Sequence, residues 1–121
     1  MSARQEIQEL YEKWVALTEE EGFYIMERDW ERVRRAQSGK AQLQVAITEA
    51  HGRWRIESPG SDFSESPFRA QIGKLISLEN RNAAFLSDVR KQCESERQRL
   101  EQSQQNLHRV RKAYFNNPVS V

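Results

Sequence analysis

The chain holds two histidines, one cysteine and eighteen carboxylates among its 121 residues. A metal centre needs three or four His, Cys or carboxylate donors that converge at short, regular spacing. Here His51 and His108 fall in different predicted helices, and Cys93 has no second thiol. His51 reads as a residue near a helix end, His108 as part of a polar face, and Cys93 as a small apolar-seam residue. A lone cysteine also excludes an internal disulfide and fits a reducing compartment. Gly60 and Gly73 lie outside any phosphate-loop pattern, and no serine, histidine and carboxylate are spaced as a nucleophilic triad. The sequence therefore predicts a protein that is not an enzyme and uses no cofactor or metal.

The polar residues that stand out do so by position. LISLENRNAAFL, residues 75–86, carries apolar side chains at helical spacing, yet Glu79 and Asn82 occupy the seam where Leu or Ile would be ordinary. A seam Asn fixes register and partner number at a cost in stability. Glu79 is expected either to reach a basic residue of the second helix, whose net +5 offers candidates, or to lie in solvent. Replacing both by leucine is expected to raise stability and loosen pairing, and the stretch is read as a hinge between a folding half and a binding half.

Three helices must position these residues. From about residue 3 to 27, Ile7, Leu10, Trp14, Leu17 and Tyr24 recur at spacings of three and four, widened by Tyr11, Val15 and Ile25. Glu19-Glu20-Glu21-Gly22 interrupts this stripe, and a looser helix is expected there. Asp29 is a helix cap after a tight Arg28-Asp29 corner. The second helix, about 30–55, presents Trp30, Val33, Ala36, Leu43, Ile47, Ala50 and Trp54, so the two form an antiparallel hairpin. A Pro-, Gly- and Ser-rich loop follows at 56–67, with Ser66 and Pro67 suited to start the next helix. The third helix, about 67–115, keeps a heptad seam throughout, and the tail 116–121 ends it. Phe68, Ile72, Leu75, Ile76, Leu78, Phe85, Leu86 and Val89 are enough to finish a three-helix core. Residues 90–112 offer only Cys93, Leu100, Leu107 and Val110, too thin a stripe to hold a helix firmly. The fold class is all-α: a hairpin plus a long third helix in one domain, bundle-like and coiled-coil-like, with a homodimer as one way to cover the excess length.

Charge bounds the partners. The net +1 argues against bulk nucleic acid. It is unevenly spread. Residues 1–31 carry Arg4, Lys13 and Arg28 against nine carboxylates, a net −6, whereas residues 32–55 carry six basic side chains against Glu49 alone, a net +5. Two such helices attract when folded together. WERVRRAQSGK and HRVRKAYF mix basic and aromatic residues as phosphate-binding segments do, but Arg32, Arg34 and Arg35 do not share a face, which makes nucleic-acid binding the weaker reading. The opening MSARQEIQEL has no signal-peptide pattern and no apolar run could span a membrane, so a cytoplasmic, non-inserted protein is expected.

Three segments together resemble the bacterial flagellar export chaperones of the FlgN and FliT type. LYEKWVALTEEEG followed by RDWERVRRAQSGKAQLQVAI is similar to their first hairpin. ISLENRNAAFL is similar to their helix with Leu-Glu and Asn ahead of paired apolar residues, and LHRVRKAYF to the basic-then-aromatic end of their last helix. The likeness spans nearly the whole chain, with a longer ESPGSDFSESP linker than the simplest family pattern. It implies a cytoplasmic helical chaperone that binds a late flagellar secretion substrate (a hook-associated, filament-cap or filament protein), often by the substrate's C-terminal helix, and keeps it unassembled. A thin apolar stripe on an underpacked helix can accept such a client helix. The expected anchors are Leu100, Leu107, Val110, Tyr114 and Phe115, with Arg109, Arg111 and Lys112 at the rim. The same residues closing a dimeric coiled coil, in a scaffold protein with no client, is the alternative.

Overall fold

The computed structural model describes residues 2–58 and 68–116. The described residues are all-α and form three helices: α1 (Ala3–Met26), α2 (Trp30–Glu57) and α3 (Arg69–Asn116). At about 1.5 Å per residue these are roughly 36, 42 and 72 Å long. Most of the predicted loop at 56–67, with its Ser66 cap and Pro67, lies outside the described residues, as do residues 117–121. Ile56 and Glu57, expected in that loop, extend α2 instead. No helix among the described residues is long and apolar enough to cross a membrane.

Local signals set the ends of the hairpin. Ser2 caps α1 with a reciprocal box: its hydroxyl accepts from the Gln5 N–H, and the Gln5 side chain accepts from the Ser2 N–H. At the other end the Asp29 N–H donates to the Tyr24 carbonyl (2.9 Å) and the Arg28 N–H to that of Ile25 (3.0 Å). That pair is a Schellman closure, which puts its linking residue in the left-handed region normally given to glycine. Here the residue is Arg28, at φ 57°. Asp29 then caps α2, accepting from the Arg32 N–H. A left-handed non-glycine residue costs about 1–2 kcal/mol, partly offset by the extra freedom glycine has when unfolded. Arg28→Gly relieves that strain but also removes the interaction the Arg28 side chain makes, so the change in urea midpoint, at an unchanged slope, should be a gain of less than about 1 kcal/mol.

The chain divides into two compact units, Met1–Leu86 and Ser87–Val121. In the first, α1 and α2 run antiparallel and α3 packs on them. One end of its core gathers Ala3, Ile7, Tyr11, Ile47, Ala50, Trp54, Phe68 and Leu75, with Leu10, Trp14, Val15 and Ile72 around it. Tyr11, Trp54 and Phe68 meet ring to ring, at centroid distances of 5.8 Å for Tyr11–Phe68 and 5.7 Å for Trp54–Phe68. The opposite charges of the first two helices do meet: Arg53 pairs with Glu6 at 2.6 Å and Lys40 with Glu21 at 3.0 Å.

Several expectations change. Glu19-Glu20-Glu21-Gly22 does not loosen α1, which is continuous, and Glu21 and Gly22 are buried. Trp30, as the first residue of α2, is only partly covered, and Ile76 is on an exposed face of α3. Glu79 and Asn82 are no hinge: α3 is unbroken there, and the division between units falls after Leu86.

Candidate functional site

Two features carry chemistry, one in each unit. The first is a buried polar cluster drawn from all three helices. Asn82 is almost wholly buried and donates both amide hydrogens, to the Thr18 carbonyl at 2.7 Å and to Glu21 Oε1 at 3.0 Å. Its own oxygen accepts from Arg81 Nη2 at 3.4 Å. Lys40 Nζ donates to Glu21 Oε1 at 3.0 Å and to Glu79 Oε1 at 2.8 Å. The Thr18 hydroxyl donates to the Trp14 carbonyl at 2.8 Å, with Glu79 Oε1 3.4 Å away.

Burial decides which of these charges is costly. The Glu21 side chain is 5% exposed and that of Lys40 13%, while Glu79 is 40% exposed. Glu21 thus depends on Lys40 and Asn82 for solvation, whereas Glu79 keeps water on one side. Gly22 completes the fit. A Cβ there would collide with the Asn82 carboxamide and the Arg81 guanidinium. The absence of a side chain lets the Asn82 amide lie against the backbone of α1. The basic partner expected for Glu79 on the second helix is Lys40. Thr18 was not singled out by sequence, and Glu21 and Gly22 were read only as an interruption of the stripe, although Thr18 and Glu21 continue the spacing Ile7, Tyr11, Trp14 and on to Ile25.

The first unit holds a further titratable group at the edge of the aromatic core. His51 lies 3.2 Å from the Tyr11 hydroxyl through Nε2, a hydrogen bond in which either group can donate. Its ring meets Trp54 and Phe68 edge-on. Burial, and secondarily the Arg55 charge, lowers its pKa from the usual 6.5, and burial raises that of Tyr11. A histidine held neutral by the fold contributes stability that is complete above the unfolded pKa. As pH falls below about 6.5 the unfolded chain takes the proton first, and stability declines. Urea midpoints should therefore drop between neutral and mildly acid pH, and His51→Phe should flatten that part of the profile. An unchanged profile in the variant would show that another group titrates.

The second feature is the face of α3 in the second unit. Leu100, Leu107, Val110, Tyr114 and Phe115 are all at least half exposed, and Cys93 is exposed as well. Tyr114 and Phe115 touch edge to face, with centroids 5.8 Å apart. Local pairs stiffen this helix: Arg97 binds Glu94 at 2.6 Å and Glu101 at 2.5 Å, and Gln102 donates to Asn106. The Arg97 contacts hold the exposed Glu94 carboxyl below its ordinary pKa. The basic rim separates on the helix wheel. At about 100° per residue Arg111 borders the apolar stripe, while Arg109 and Lys112 point roughly 140° or more away from it. Among the described residues, no group of three or more His, Cys, Asp or Glu side chains could hold a metal ion. No protein-family model, curated protein or solved structure matches the chain.

Proposed function

We propose that the chain is a binding protein, not a catalyst, which holds an amphipathic client helix against the C-terminal part of α3. The export chaperones that its segments resemble suggest the setting: a cytoplasmic protein that keeps a late flagellar structural substrate from assembling too early. The observation that carries this reading is the run of large apolar side chains, Leu100 to Phe115, left in solvent on one helix. Leu100, Leu107, Val110 and Tyr114 share a stripe at spacings of seven, three and four, the pattern by which one helix receives another. Large exposed apolar groups in such a row mark an interaction surface more often than a solvated one.

Co-expression with hook-associated, filament-cap and filament proteins of the same genome tests the proposal. A stable, soluble complex with one of them is expected. Leu107→Glu with Val110→Glu should abolish it and leave the melting of the free chain unchanged, since neither side chain is buried. If no such protein is retained, the chaperone reading fails. The same seven-residue spacing would also serve a homodimeric scaffold, and light scattering on the full chain separates the two.

A further inference from the structure

Resting on that client-binding reading, the flanks of the stripe say what kind of helix would fill it. In the heptad that places Leu100, Leu107 and Tyr114 at one seam position and Ser103 and Val110 at the other, eight residues from Arg90 to Ala113 border the seam. Four are arginines, Arg90, Arg97, Arg99 and Arg111; the others are uncharged, and none is a carboxylate. The acidic side chains Glu94 and Glu101 lie round the helix, where they engage Arg97. The seam's own carboxylate is Glu96.

A second copy is a poor match for this face. Helices that pair by heptads gain specificity from opposite charges across their flanks. Parallel self-pairing would set each flanking arginine against an uncharged residue and Glu96 against Glu96. Antiparallel self-pairing would set arginine-bearing flanks against each other, and like charges at such positions repel. An acidic helix meets neither difficulty. We infer that the partner of this face is an amphipathic helix of another protein whose apolar stripe is bordered by Asp and Glu. The apolar anchors give most of the affinity, and Arg90, Arg99 and Arg111 choose the sign of the partner's flanks.

The test uses the full chain and two designed helical peptides with one apolar seam, one flanked by Glu and the other by Lys. Binding is followed by calorimetry at low and high salt. The Glu-flanked peptide should bind about tenfold tighter or better, and the preference should shrink with salt. Arg90→Glu, Arg99→Glu and Arg111→Glu together should reverse it. All three side chains are exposed, so circular dichroism should show an unchanged fold. Equal binding of both peptides, or preference for the Lys-flanked one, overturns the charge inference and leaves client binding standing. Binding of neither peptide overturns both, and a homodimer by light scattering replaces the acidic partner with a second copy.

Discussion

Asn82→Leu should destabilise the protein by about 2–4 kcal/mol, although it places an apolar residue of similar size at a buried helix position. The expectation follows from what the amide does. Its two hydrogens go to the Thr18 carbonyl and to Glu21 Oε1, and Glu21 is nearly sealed from water. Leucine removes a donor from a buried carboxylate and leaves that charge undersolvated; a buried polar group stripped of its partner carries most of its desolvation penalty. Asn82→Asp tests the donors apart from the shape. It keeps the size but replaces the two hydrogens by lone pairs facing the Thr18 carbonyl and Glu21 Oε1, so it should be at least as damaging at neutral pH. Chemical denaturation of both variants checks this, and an Asn82→Leu variant as stable as the parent would refute it. The geometry also reverses the expectation that Glu79→Leu with Asn82→Leu is stabilising. Losing the half-exposed Glu79 would leave Lys40 and Glu21 as a balanced pair, so the harm in the double variant comes from Asn82.

The second large effect is expected at Lys40. Lys40→Met preserves most of the aliphatic stem but removes the cation that Glu21 and Glu79 share. Removing one partner of a buried ion pair typically costs about 3–5 kcal/mol, because the remaining charge is uncompensated. Small domains have only about 5–15 kcal/mol in all, so the variant should unfold at far lower urea. Adding Glu21→Gln should recover a large part of that loss, because the buried carboxylate is the group left stranded. Adding Glu79→Gln should recover less, because water already reaches it. A cycle of these variants measures the coupling directly. Equal rescue by both changes would mean that burial does not rank the two carboxylates.

The apolar half of the fold was legible because periodicity reports burial directly. The three helices and the thin seam beyond Val89 follow from the spacing of large side chains, and the Asp29 corner from a side chain suited to cap a helix. The polar half was harder to see for a physical reason. A stripe at 7, 11, 14, 18, 21 and 25 is regular in α1, and one at 33, 36, 40, 43, 47, 50 and 54 is regular in α2. Each contains polar residues, Thr18 and Glu21 in one and Lys40 in the other. Taken singly, each looks like a gap in an apolar pattern. Only the pairing of helices shows that the gaps lie at one level of the bundle, opposite Glu79 and Asn82, where each polar group satisfies another. Trp30 and Ile76 failed in the other direction: both fit a stripe by spacing, but Trp30 is only partly covered and Ile76 is more than half exposed.

The bare backbone of Gly22 against the Asn82 carboxamide also bears on ancestry. Thr18-x-x-Glu21-Gly22 on the first helix, Lys40 on the second and Glu79-x-x-Asn82 on the third form a fingerprint that apolar substitutions would leave untouched. In any descendant of this fold a side chain at position 22 would have to come with a smaller residue at 82, and loss of the lysine with loss of an acid. Leucines in such helices can trade places freely while these positions change in concert. Distant kin are therefore better sought by this sparse set of letters than by the heptads around it.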